Sequence, residues 1–494
     1  MSISSAVDPN AMASVVGIET VFKNTGVAGA FLPQRIAVVG QGSTSAVYAT
    51  TKKQVSSALE VGQTYGFGSP LHLAVQQLLP LNGDGVGSIP VTVYPLEDHL
   101  SGVAAAGSIL PAGAQITARS YQVSINNILS SSFLISPGDS VAEVVTAITT
   151  AINANINMPV TAVDNTTDVI LTAKWKGESG NDIKIAIIGD TSDGVTFGIT
   201  QLTGGLENPD VDAALNQVGS VWETLVLNCL NKSDTATLDK FETFGIGRWQ
   251  PLVKKPLIVF TGDTEATVAL ATTIPEIRKT DRVNAQLVSP ASFDLSFVVA
   301  ARQLARIATV AEDNPPTGYN GKIADGLTPA ADSAEWTYVE RDEAVKKGSS
   351  TITKENGQVV LGDIVTFYHP DGDLFPAYRY VVDIVRLQNI IYNLDLIFEA
   401  DEWRDVPLIP DDQPTVNPLA KKPKTAIAEI AGLLDYLGAW AFISDPATAK
   451  TKTIAEIDGT NPNRLNIVIT VQLSGNTRIK AITLNFGYLL GGIN

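Results

Sequence analysis

Cysteine occurs once in the 494 residues, and histidine and methionine three times each. A single thiol, Cys229, excludes a disulfide framework within the chain, and its apolar surroundings read as core in a reducing compartment. The histidines, His72, His99 and His369, leave little imidazole for acid–base or metal chemistry. None lies beside a nucleophile elbow or a serine-rich catalytic loop, so no catalytic residue is assigned. Charge is thin as well: only 17% of residues are Asp, Glu, Lys or Arg. That suits a chain whose surface is largely covered by neighbours. The balance is acidic, 34 Lys and Arg against 51 Asp and Glu, a net −17, which argues against a nucleic-acid partner. No stretch approaches the ~18 uninterrupted apolar residues of a membrane span. The N-terminus has neither the basic start nor the apolar segment of a signal peptide, so no secretory leader is expected.

What is present is an α/β rhythm with an interruption. Residues 35–40 read as a short buried strand, 70–79 as a helix capped by Ser69 with Pro70 in its first turn, and 89–94 as the next strand. From about 99 to 204 the text turns to short strands rich in Thr, Ser, Asn and Val, with one helix at 141–154. This reads as a β-rich domain inserted into the first. The α/β pattern then resumes, with strands at 224–227, 257–260 and 285–288. A helix is expected at 265–278 and another at 293–311. Five strands, beginning near Ile36, Ile89, Thr224, Leu257 and Ala285, make a doubly wound sheet.

Asn314-Pro315-Pro316 marks the border of a last, α+β domain. Its strands are expected at 357–361 and 364–368, followed by a helix from about 376 to 403. On that helix Tyr380, Ile384, Leu387, Ile391, Leu394 and Phe398 form one stripe, and Arg379, Asp383 and Arg386 line another face. Residues 401–418 are an acidic, proline-rich connection, and 425–436 a further helix. The end, 465–490, reads as a β-hairpin around Ser474-Gly475-Asn476, with Ile482, Leu484 and Phe486 on one face of its second strand. A similar strand near the start, 13–22, carries Val15, Ile18 and Val21. Strands at both ends of a long chain can pair with another copy's sheet.

Phosphate- and metal-binding motifs are weak. Gly40-Gln41-Gly42-Ser43 lacks the third glycine of the dinucleotide pattern and any Gly-Lys-Ser/Thr. Asn82-Gly83-Asp84-Gly85 lacks the terminal Glu of a calcium loop. Both read as tight turns, and no cofactor or metal is expected.

Four stretches together resemble contractile phage tail sheath proteins, in their Mu-like branch. They are Arg35-Ile36-Ala37-Val38-Val39-Gly40, the Gly177-Glu178-Ser179-Gly180-Asn181 turn within 173–185, the segment from Lys354-Glu355-Asn356-Gly357 through 363–368 to Tyr378-Arg379-Tyr380, and Asp458-Gly459-Thr460-Asn461-Pro462-Asn463-Arg464-Leu465. The run from Ala300 to Pro316 looks most like the Mu-type branch. The resemblance implies an N-terminal arm (1–33), a subtilisin-like α/β domain (34–98 and 205–320), an outward β-sandwich insertion (99–204), a tube-facing C-terminal domain (321–478) and a C-terminal arm (479–494). It implies a virion tail protein assembled in the host cytoplasm, whose copies stack as hexameric rings. Its partners would be further copies, the tail tube protein, and baseplate and terminator proteins at the ends, with no membrane contact of its own. Contraction would drive the tube through the host envelope. Val15, Ile18, Val21, Ile482, Leu484 and Phe486 would then bury against neighbouring copies. Arg379, Arg386 and the Lys421-Lys422-Lys424 cluster are candidates for the tube contact. The competing expectations are a baseplate or other structural virion protein, and a hydrolase for which no site assembles.

Overall fold

A computed structural model describes residues 29–192 and 194–486. They fall into two compact units, one built on 393–474 and one on 31–392 with the chain from 475 onward. No helix among the described residues is long and apolar enough to cross a membrane.

The larger unit is organised on a six-stranded sheet ordered Asn284–Val288, Ile258–Asp263, Leu225–Asn228, Ile36–Gln41, Val91–Leu96 and Lys53–Val55. The first five run parallel. Their residues are buried throughout, which explains why they read as continuous apolar runs rather than alternating ones. Ile36, Val38, Leu225, Leu227, Ile258 and Phe260 belong to one cluster, and Ala37, Val39, Val226 and Val259 to another. The sixth strand, Lys53–Val55, adds antiparallel at the edge. Three residues, two of them exposed, give too short a pattern to read from sequence.

The 265–278 helix is broken into Val268–Ala271 and Thr273–Ile277. Pro275 has no N–H to give to the Ala271 carbonyl. That carbonyl instead accepts from Gln286 Nε2 at 2.7 Å, so the break is tied to the neighbouring strand. The helix Ser296–Asp313 is intact and presents Phe297, Ala300, Leu304 and Ala308 to the core.

Between Leu96 and Asn208 the chain forms two four-stranded antiparallel sheets and the helix Val141–Asn153. Ser140 and Glu143 form a reciprocal capping box that starts this helix. Two of the strands, Ala106–Ala112 and Thr196–Thr203, pair with each other and escaped the sequence reading. One is built largely of small residues and proline, and the other has one side largely in solvent.

The strands expected at 357–361 and 364–368 pair differently. Gln358–Leu361 joins Ile352–Glu355 through Asn356-Gly357, both at positive φ, as a two-residue hairpin turn requires. Residues near 366 instead cover the Asn284–Val288 edge, through a bridge between Ala285 and Thr366.

The long helix is Val381–Phe398, shorter than expected at both ends. Its buried face is also rotated from the expected stripe. Val381, Val382, Ile384 and Val385 are buried together with Arg386, Gln388 and Asn389, whereas Leu387 and Ile391 are half-exposed. The buried amides have backbone to serve. Gln388 Nε2 donates to Pro256 O at 3.0 Å, and Asn389 Oδ1 accepts from Leu32 N at 2.8 Å.

In the smaller unit, helix Pro423–Ala439 packs beside short strands, and Asn393 exchanges two hydrogen bonds with Ala30, 2.9 and 2.8 Å. Among the described residues, the expected 465–490 hairpin does not form. Leu465–Val468 pairs with Ile454–Ile457, and Gln472–Leu473 with Ile443–Ser444. The turn that decides this is 458–464. Asp458 accepts from Thr460 N, Thr460 Oγ1, Asn461 N and Asn466 Nδ2. These bonds hold its carboxyl well below the usual carboxylate range.

Candidate assembly site

In open parallel sheets, ligands bind in the crevice beyond the carboxyl ends of the strands. Here the chain itself covers part of that edge, beside a groove of about 450 Å³ lined by His99, Glu178, Asn208, Asp234 and Lys240. Gln41, ending the Ile36–Gln41 strand, donates through Nε2 to Asp98 Oδ1 and Lys176 O. Asp182 accepts from Asn231 Nδ2 at 3.1 and 2.9 Å and from Ser296 Oγ at 3.1 Å. Lys184 Nζ donates to Ser292 O at 2.6 Å, and Asn126 Nδ2 to Phe293 O at 2.9 Å. The turn supplying Asp182 is Glu178–Asp182, entered through Gly177 at φ 108° and backed by Trp175, whose indole N–H donates to Ser179. The Gly-x-x-Gly-Asn signature is therefore a plug between the inserted sheets and the parallel one.

Burial pushes the Asp182 carboxyl up to about 6, with Lys184 and Lys232 lowering it and Asp263 raising it further. A folded-state value above the unfolded one means this group's contribution is fully present below about pH 4 and is lost as pH rises through 6. Asp182→Asn removes the buried charge and keeps an acceptor. It is expected to stabilise by about 1–2 kcal/mol at pH 7.5, allowing for one weakened hydrogen bond, and to give no gain at pH 4. Urea unfolding at the two pH values reads this directly, and an equal effect at both would contradict the assignment.

The histidines are dispersed, and His72 and His369 are buried among backbone partners. His72 is buried and accepts from Gly68 N at 3.1 Å, and burial brings it down to about 4. His369 is buried with Nδ1 2.6 Å from Phe367 O. His99 lies at the entry to the inserted sheets. Cys229 is fully buried in the core, as its context suggested. No group of three or more metal-ligating side chains occurs among the described residues.

The termini carry the more informative geometry. Val15, Ile18 and Val21 lie outside the described residues. Ile482, Leu484 and Phe486 are 87, 81 and 86% exposed, and none belongs to a strand. Three large apolar side chains at alternating positions, all in solvent, have the spacing that would put them on one face if the segment paired as a strand. The segment is not loose at its root. Arg386 Nη2 donates to Asn476 Oδ1 at 2.9 Å and to Pro316 O at 2.7 Å, and Nη1 pairs with Asp383 at 2.7 Å. Asn476 Nδ2 donates to Pro316 O at 3.2 Å. The Arg478 guanidinium sits 3.1 Å from the centre of the Tyr380 ring and 3.8 Å from Asp363.

Two of the tube-contact candidates are drawn inward. Arg386 is 2% exposed, not on a solvated face. Lys421 is also drawn inward, stacked over Trp403 and paired with Glu429 and Glu402. Lys422 and Lys424 donate to the Asp411 carbonyl and so hold down the acidic 401–418 connection, although Lys424 stays exposed. Arg379 is half-exposed. Sequence reasoning missed Asn389 and Asn476. For Asn389, a polar residue on a helix stripe carries no signal that it will be buried against distant backbone, and Asn476 read only as a turn residue.

No protein-family model matches the chain. It is 26% identical over 444 residues to the Mu-like prophage FluMu tail sheath protein of Haemophilus influenzae, covering 88% of each. Among solved structures, a sheath tail protein from Listeria innocua aligns with 90% of this chain and 93% of its own, at 14% identity and a TM-score of 0.49. The sheath of an extracellular contractile injection system in the contracted state aligns with 96% of this chain and 98% of its own, at 11% identity and a TM-score of 0.47. The resemblance to Mu-like tail sheaths read from the residues is thus matched by a named relative along nearly the whole chain.

Proposed function

We propose, from this kinship with a tail sheath protein, that the chain is the structural subunit of a contractile phage tail sheath. Copies stack as hexameric rings around a tail tube, and contraction of the stack drives the tube through the host envelope. The observation that carries the assembly reading is the solvent-exposed apolar face of 482–486 on an anchored root. Such a segment adds to a sheet edge of another copy, where main-chain hydrogen bonds give affinity and alternate side chains give register. The isolated ribbon of Ile454–Ile457 and Leu465–Val468 offers an edge for this, and its Ile454 and Val468 are exposed. A contact of this kind is heterologous, and where its rotation does not close it builds a helix of copies.

In this reading 34–98 with 205–320 is the sheath α/β domain, 99–204 faces outward, 321–478 faces the tube, and 1–33 and 479–494 are the exchanged arms. Arg379, Lys422 and Lys424 are the remaining candidates to set register on an acidic tube. The virion tail is the proposed location, with baseplate and terminator proteins at the two ends.

Negative-stain electron microscopy of the concentrated full-length protein tests the proposal, alone and with the tube protein. Long striated tubes are expected. Closed rings or monomers under both conditions would favour a baseplate-type component.

A further inference from the structure

We propose that Arg386 and Asn389, one turn apart on the Val381–Phe398 helix, form a buried clamp on the roots of both terminal segments, and that Arg386 sets the register in which the C-terminal strand is presented. The inference rests on the assembly reading above.

A buried guanidinium is costly. Burial lowers the Arg386 affinity for its proton and raises that of Asp383 despite their pairing. Such a pair adds little stability over an apolar packing, so its value lies in geometry. Arg386 joins three separate segments: its own helix at Asp383, the Pro316 loop, and Asn476. Asn389 fixes Leu32 on the adjacent turn. From Asn476 to Ile482 is six residues, about 20 Å when extended. Over that reach, a slip of one residue at the root turns the 482, 484 and 486 side chains to the opposite face of the strand. A root held by a fork of hydrogen bonds prevents the slip, whereas a root held by apolar contact alone would not.

The test uses the full chain with Lys480→Cys carrying a nitroxide, since the native thiol Cys229 is buried. Asn476→Ala removes only the segment's half of the clamp and leaves Arg386 with Asp383 and Pro316. Arg386→Met removes the centre, and Asn476→Ala keeps the test open if that variant folds poorly. Both are expected to shorten the label's correlation time at least roughly threefold. Without the label, both are expected to raise the critical concentration for assembly by about tenfold or more. An unchanged spectrum would overturn the clamp. A mobile label with an unchanged critical concentration would overturn its role in register. If unsubstituted protein assembles neither alone nor on the tube, the assembly reading fails, while the spectra still judge the clamp.

Discussion

A chain ending at Lys480 is expected to fold as the full-length protein does and to fail to assemble. The described part of what is removed packs little against the folded unit. Ile482, Leu484 and Phe486 are almost wholly in solvent, and the described part of the segment pairs with no strand. Thermal midpoints of the two chains should therefore agree within about 2 °C. Assembly loses much more. Burying three such side chains is worth roughly 5–9 kcal/mol gross, and the main-chain bonds of a strand add to it. Ordering the segment and losing free motion take back a large part. A net loss of several kcal/mol remains, which is at least about a thousandfold in association. Sedimentation across a concentration series would show full-length protein pelleting where the truncated chain stays monomeric. Leu484→Asp in the intact chain should behave like the truncation, because it places a charge at the centre of the buried face. Tubes from the truncated chain would remove the C-terminal segment from the assembly interface.

The parallel sheet was legible because burial on both faces forces apolar runs such as Ile36-Ala37-Val38-Val39 and Leu257-Ile258-Val259-Phe260. The capped helix at Ser69 was legible for the same local reason that it forms. What failed was pairing. The 465–490 stretch alternates as a strand should, yet alternation does not say which strand will be the partner. The Asp458 turn, with its four hydrogen bonds, gives Leu465–Val468 an upstream partner instead. The face of the 381–398 helix was misjudged because the reading placed polar residues outward. Arg386, Gln388 and Asn389 go inward to serve backbone groups at Pro316, Pro256 and Leu32, tens or hundreds of residues away in sequence. Such positions become visible only once the chain is folded.

Gly262→Ala illustrates the same limit and carries the largest expected loss of stability. In sequence, Gly262 is an unremarked residue near the end of the Ile258–Asp263 strand. In the fold it lies on the face shared with Ile258 and Phe260, beneath the first turn of the Ser296–Asp313 helix. A methyl group there would overlap the Ser296 carbonyl oxygen and carbon and crowd Phe297 N at 3.0 Å. These are backbone atoms, so no side-chain rotation relieves the overlap. The helix start must move away from the sheet, and with it the Ser296 hydroxyl that binds Asp182. Overpacking of this kind costs upwards of about 3 kcal/mol, enough to lower the yield of folded chain sharply. Gly432→Ala is the contrast. It lies in helix Pro423–Ala439 with no heavy atom within 4 Å of the added carbon, so helix propensity alone decides. That change should stabilise by about 0.5–1 kcal/mol. Urea unfolding of the two variants separates them in opposite directions. A Gly262→Ala protein with native yield and midpoint would show that the helix does not rest on this glycine.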